Sequence, residues 1–325
     1  MKTEKMKNQI LLFFFWVPLI LSPGRLKAQE LPLILDHPGT FQILSRTDYA
    51  SSECGFSKAE MTANLQKIIE LVSIVRKNPV LSDMKGFDGR ARIYNSIACQ
   101  QEGYYGVPAR ISFEFAAWFK KKDCTVVRNL IEPPEWSMHI NSMQPGWSSG
   151  FSRKPDLIAV PEKKETIAPG IDVYDGECFV LYNPDRPDYW IPVTVKEAFD
   201  VAYAENKRNS DEIQWGYAKK MLDEEWAAIP QANWNKPATM SGMLSRVGTL
   251  PGYPKIVKVN PAYWDKNRPK SDIQFITFRM ITNRTFLEQR TKEYLKANSI
   301  SYHEARFEES LDLNMVRSLL PQIGK

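Results

Sequence analysis

Residues 176–199 read GECFVLYNPDRPDYWIPVTVKEAF. Three elements follow one another in this passage. Cys178 to Tyr182 is a short apolar run of strand type. Asn183-Pro184 ends it, and Arg186-Pro187 stiffens a loop that carries Tyr189-Trp190. Thr194-Val-Lys-Glu197 then matches a capping box, in which the Thr hydroxyl and the Glu carboxylate satisfy backbone N–H groups left free at a helix start. A helix is expected from Val195 to about Asn206. Strand, rigid loop and helix at such close quarters point to a chain that mixes sheet and helix throughout.

A second passage, residues 256–278, uses similar parts: IVKVNPAYWDKNRPKSDIQFITF. It contains Asn260-Pro261, Tyr263-Trp264 and Arg268-Pro269, flanked by strands at 256–259 and 273–280. The order of the parts differs between the passages. Repeated use of turn-forming residues is a simpler account than a duplication.

Upstream, Ser57-Lys-Ala-Glu60 is another capping box, followed at helical spacing by Met61, Leu65, Ile68, Ile69, Val72 and Val75, with Asn78-Pro79 as the stop. A β-rich section comes next. Residues 90–98 alternate in part. Residues 109–119 alternate well, with Ile111, Phe113 and Phe115 on one face and Arg110, Ser112 and Glu114 on the other. Residues 103–106, Gly-Tyr-Tyr-Gly, suit a hairpin loop between them. Residues 125–131 and 136–142 read as further strands, joined by short links and not by crossover helices. Residues 144–170 show little periodicity and are rich in Pro, Gly, Ser and Lys, so they read as a surface excursion or linker.

Downstream, a helix is expected over 211–228 with Ile213, Tyr217, Met221, Leu222 and Trp226, and another over 283–298. Residues 300–307 read as a strand, and a short helix capped by Asp312 closes the chain. The resulting fold class is α+β: a twisted antiparallel sheet with packed helices. Two subdomains are expected, 29–150 and 151–325, after a signal peptide at 1–28.

That leader has basic Lys2, Lys5 and Lys7, an apolar run from Ile10 to Leu21, and Leu26-Lys27-Ala28 before a cut at Gln29. The run is shorter than the roughly 20 apolar residues of a spanning helix. The reading is an exported protein, periplasmic or extracellular, with no membrane span after cleavage. The first 28 residues hold five basic side chains and one acidic, so all but one unit of the formal charge of +5 belongs to the leader. What remains lacks the field that nucleic acid requires. In an exported chain the four cysteines (54, 99, 124 and 178) suggest two disulfides, of undetermined pairing.

Chemistry-bearing residues are sparse. His139 lacks a nucleophile motif, and His303-Glu304 would point to opposite faces of a strand. With three histidines and no CxxC, no metal site is expected, and no cofactor loop is present. Asp172, Asp175 and Glu177 are the acids nearest one another for a hydrolytic pair. The alternative is a solvated turn at Asp175-Gly176. Asn283-Arg-Thr285 matches a glycosylation acceptor, though both residues also suit a helix start. The preferred site is the pair of aromatic loops: Arg186, Tyr189, Trp190, Tyr263, Trp264 and Arg268. An exposed indole suits a sugar or peptide, and the arginines suit carboxylates. The competing reading has the indoles plugging the core beneath their loops. The functional expectation is a non-catalytic binding protein for a glycan or peptide-like ligand. A hydrolase using paired carboxylates and an accessory subunit of an envelope complex are the alternatives.

Overall fold

The computed structural model describes residues 32–46, 55–95, 104–129, 131–146, 148–153, 156–241 and 246–324. The leader, Cys54, Cys99, Gly103 and Trp147 lie outside these residues. Along the chain come β1 (Phe41–Arg46), α1 (Lys58–Val75), α2 (Pro79–Ser82), β2 (Phe87–Asn95), β3 (Ala109–Lys120), β4 (Val126–Arg128) and β5 (Glu135–Ile140). Then follow β6 (Ser149–Arg153), β7 (Asp156–Val160), β8 (Lys163–Ala168), β9 (Ile171–Tyr174), β10 (Cys178–Tyr182), β11 (Trp190–Pro192), α3 (Val195–Asn209) and α4 (Glu212–Ala228). The last third holds β12 (Thr239–Ser241), β13 (Arg246–Gly248), β14 (Lys255–Val259), β15 (Phe275–Arg279), α5 (Arg284–Lys296), α6 (Tyr302–Ser310) and α7 (Leu313–Leu319). The class is α+β, as the patterning implied.

The strands form two sheets. The larger runs β1-β2-β3-β5-β15-β10-β9-β8, with β4 added beside β3; the smaller runs β13-β12-β14-β7-β6, with β11 added beside β14. All named pairings are antiparallel except β1 with β2, which are parallel and joined through α1 and α2. A boundary at residue 150 falls inside β6.

Burial follows from alternation. One face of the larger sheet (Ala91, Ile93, Ile111, Phe113, Met138, Ile276, Phe278, Phe179) packs on Ile68, Leu71, Val72 and Val75 of α1, Phe307 of α6, and Val316 and Leu319 of α7. The opposite face is apolar only toward β9, β10 and β15. There Tyr174, Val180 and Phe275 meet Ile158, Val160, Val257 and Val259 of the smaller sheet. The outer side of the smaller sheet, through Leu157, Ala159 and Ile256, packs on Val195, Ala198 and Phe199 of α3, with Leu222 and Trp226 of α4 at the margin. The layers are therefore helices, sheet, sheet, helices. Because the smaller sheet covers only part of the larger one, the outer faces of β3 and β5 keep Arg110, Ser112, Glu114, Ser137 and His139.

Two expectations are corrected. Residues 144–170 are not an excursion: they hold β6, β7 and β8, and Leu157 to Val160 are each at most 2% exposed. β7 is buried on both faces, so it lacks the polar alternation by which a half-buried strand is recognised. Residues 300–307 are not a strand: α6 begins at Tyr302 and places His303 and Phe307 inward, one helical turn apart.

Both helix starts are capped as expected, but only the first is a reciprocal capping box, since Glu197 accepts from Lys258 Nζ (2.7 Å) instead. Ser57 accepts from Glu60 N while Glu60 accepts from Ser57 N, and Thr194 accepts from Glu197 N. Asn283 accepts from Phe286 N as the cap of α5. Cys124 and Cys178 are both free thiols, exposed and buried respectively. Among the described residues no helix is long and apolar enough to cross a membrane.

Candidate functional site

The two aromatic loops meet. Asn260 N donates to Tyr189 O (3.0 Å) and Asn260 Nδ2 to Asp188 O (2.6 Å), while β11 pairs with β14. Their rings point inward: Tyr189, Trp190, Tyr263 and Trp264 are 6%, 7%, 0% and 1% exposed. Trp190 Nε1 donates to Met143 O (3.0 Å) and Tyr263 Oη to Gln274 O (2.5 Å). Arg186 is not aimed at solvent either. It donates to the carbonyls of Ala262 (3.0 Å), Tyr263 (2.8 Å) and Trp264 (2.8 Å), which clamps one loop to the other. Arg268 pairs with Asp272 (3.4 Å) and lies 3.9 Å from Asp265. The four rings therefore form a core plug that Arg186 clamps, while Arg268 pairs with acids of its own loop, and buried rings present no face to a ligand.

The three acids before β10 each have partners of their own. Asp172 is 1% exposed and accepts from Tyr189 Oη (2.7 Å), Thr166 Oγ1 (2.6 Å) and Lys163 Nζ (2.7 Å). Asp175 pairs with Lys164, and Glu177 accepts from Thr282 N (2.8 Å) and Oγ1 (2.7 Å). Gly176 and Glu177 both have positive φ (74° and 60°), as a tight hairpin turn between β9 and β10 demands.

A pocket of about 390 Å³ lies instead on the larger sheet. It is lined by Arg110, Glu135, Trp136, Ser137, His139, Gly146, Phe278, Arg279 and Glu308. Register explains the convergence. Arg110 of β3 sits opposite His139 of β5, which sits opposite Thr277 of β15. Arg110 then reaches along the sheet to hydrogen-bond Glu135. Trp136 is 4% exposed and donates its indole N–H to Arg279 O (2.7 Å). Arg279 Nε donates to Gly176 O (3.2 Å), and its exposed guanidinium marks the rim. Glu308 arrives from α6 and is bonded to Arg290 of α5.

Electrostatics set the protonation states. Burial, then the charge of Arg110, pushes His139 down to about 4, so its imidazole is neutral at pH 7. A Cβ on Gly146 would stand 2.8 Å from His139 Nε2, so only glycine lets this loop press on the ring. One turn before Glu308, Glu304 is pushed up to about 7, first by burial and then by Glu308.

Ser137 and His139 share a face of β5, yet no hydrogen bond joins them, so no nucleophile–base pair is assembled. Among the described residues no group of three or more His, Cys, Asp or Glu side chains is arranged to hold a metal. Sequence reasoning singled out His139 but missed Arg110, Glu135, Arg279 and Glu308 as its neighbours. The polar alternation of β3 and the Glu-x-Ser-x-His of β5 were the available signal; which strands pair was not.

Comparison of the chain with protein-family models, with curated proteins and with solved structures finds no match.

Proposed function

We propose that this is an exported, non-catalytic binding protein, and that its ligand is a glycan or peptide-like molecule carrying an acidic group. The observation that supports it is the pocket beside His139. It combines a guanidinium at the rim (Arg279), an ion pair within the wall (Arg110–Glu135) and the neutral imidazole of His139, over a floor closed by the buried Trp136 and Phe278. An open guanidinium favours a carboxylate held by two hydrogen bonds, and a neutral imidazole offers one donor and one acceptor. The volume suits a sugar unit or a few peptide atoms more than a large cofactor.

The test is a calorimetric titration of the purified protein with acidic and neutral oligosaccharides and with short peptides. Arg279→Ala is expected to weaken binding of the acidic members about tenfold or more while leaving the melting temperature unchanged, because Arg279 is exposed. If no member of the panel binds, or if binding ignores Arg279, the reading fails.

Hydrolysis is a second reading, favoured by Glu304. A carboxyl protonated near neutral pH beside Glu308, with Glu135 near enough to add to its shift, is the pattern of a general acid with a partner base. Release of reducing ends from an acidic glycan, abolished by Glu304→Gln, would support it over simple binding.

A further inference from the structure

α4 buries none of its residues, and its outward side carries two rows at four-residue spacing. One row is apolar: Ile213, Tyr217 and Met221, which are 73%, 73% and 47% exposed. Beside it run Glu212, Gly216 and Lys220. Trp215, Ala218, Leu222 and Trp226 occupy the opposite side, toward the rest of the fold. The exposed residues are therefore not needed to hold the helix in place.

The apolar row reads the same in either direction in chemical terms, and the second row exchanges its charges when reversed. Turned about a two-fold axis near the middle of α4, the apolar row places Ile213 against Met221 of a second copy and Tyr217 against itself. The same turn places Gly216 against Gly216 and Glu212 against Lys220, twice. The two alignments centre on neighbouring residues, Tyr217 and Gly216, about 1.5 Å apart along the helix, so a two-fold axis between them serves both to within that offset. Gly216 supplies the independent clue. Glycine is a poor helix former, and a Cβ at this position would meet nothing within 4 Å in the single chain. A glycine with open space beyond it fits a place where another backbone approaches closely.

We propose that α4 is the self-association surface of this protein, through which two copies pair antiparallel across Gly216. The occupant is a second copy because the charges complement their own reversed order. In a single copy Lys220 has only Glu224 at 3.9 Å, with both side chains well exposed. The contact is small, so a dissociation constant on the order of micromolar is expected.

Sedimentation velocity across a concentration series of the purified protein tests this. The wild type is expected to shift from monomer to dimer. Lys220→Glu should raise the dissociation constant about tenfold, and adding Glu212→Lys to it should restore pairing. Gly216→Leu is the sharper variant: the single chain has room for it and gains helix propensity, so its melting temperature should not fall, yet pairing should be lost. A wild type that stays monomeric overturns the proposal. So does a dimer that is indifferent to Gly216→Leu and Lys220→Glu.

Discussion

Single side chains in this protein are held in states that water would not choose. His303 is fully buried and stacked on Phe87 (4.7 Å between ring centres), with the Gly86 backbone against its ring. Burial, then Arg306, pushes it down to about 3. The folded value lies below that of the unfolded chain, so the unfolded state takes the proton first. The stability tied to the neutral ring is full above pH 6.5 and is lost as the pH falls toward 3. His303→Phe should flatten that acid limb and raise stability at pH 7 by about 1–2 kcal/mol, measured by urea unfolding at several pH values. Glu304 has the opposite sign. Its folded value is raised, so stability is present below the ordinary carboxylate range and lost as the pH rises through about 7. Glu304→Gln should therefore stabilise the fold at pH 8 and change little at pH 4. Gly86 illustrates steric demand: φ is 82°, and a Cβ there would stand 2.6 Å from Ile34 O and 2.9 Å from His303 Cε1. Gly86→Ala should cost about 2–3 kcal/mol in the same assay.

Elements were legible where polar and apolar side chains separate by face. α1 was readable because Ser57 and Glu60 announce its start and Ile68, Leu71 and Val75 share a side. β3 was readable because Arg110, Ser112 and Glu114 alternate with core residues. β7 was not, because both its faces are covered, and α6 was not, because its short inward set of Tyr302, His303 and Phe307 passes for a strand. The candidate site was less legible still. Its residues come from β3, β5, β15 and α6, and only the strand order brings them together. The junction of these elements rests on Asn141, which is fully buried with φ 50°. It donates to Val107 O (3.1 Å) and Asp272 O (2.8 Å) and accepts from Gln274 N (2.8 Å) and Phe275 N (3.3 Å). Asn141→Ala leaves four backbone groups without this partner and should cost about 3 kcal/mol, read from chemical denaturation.

For the whole molecule, the aromatic loops seal the space between the sheets. Trp190→Ala and Trp264→Ala should each cost about 3–5 kcal/mol by opening a cavity there, seen as a lowered denaturation midpoint. Arg279→Ala, at the pocket rim, should leave that midpoint unchanged. This contrast separates residues that build the fold from those free to serve a ligand.

The order of strands in the larger sheet has a further consequence in time. β15, made well after β5 and β10, lies between them. Until Phe275–Arg279 leaves the ribosome, β5 and β10 each lack the neighbour that joins them, and the sheet stays in two pieces. Pairings so distant in sequence form slowly, because a long loop must close before they are rewarded. A nascent chain of this topology therefore keeps the facing edges of β5 and β10 unjoined until β15 has been made.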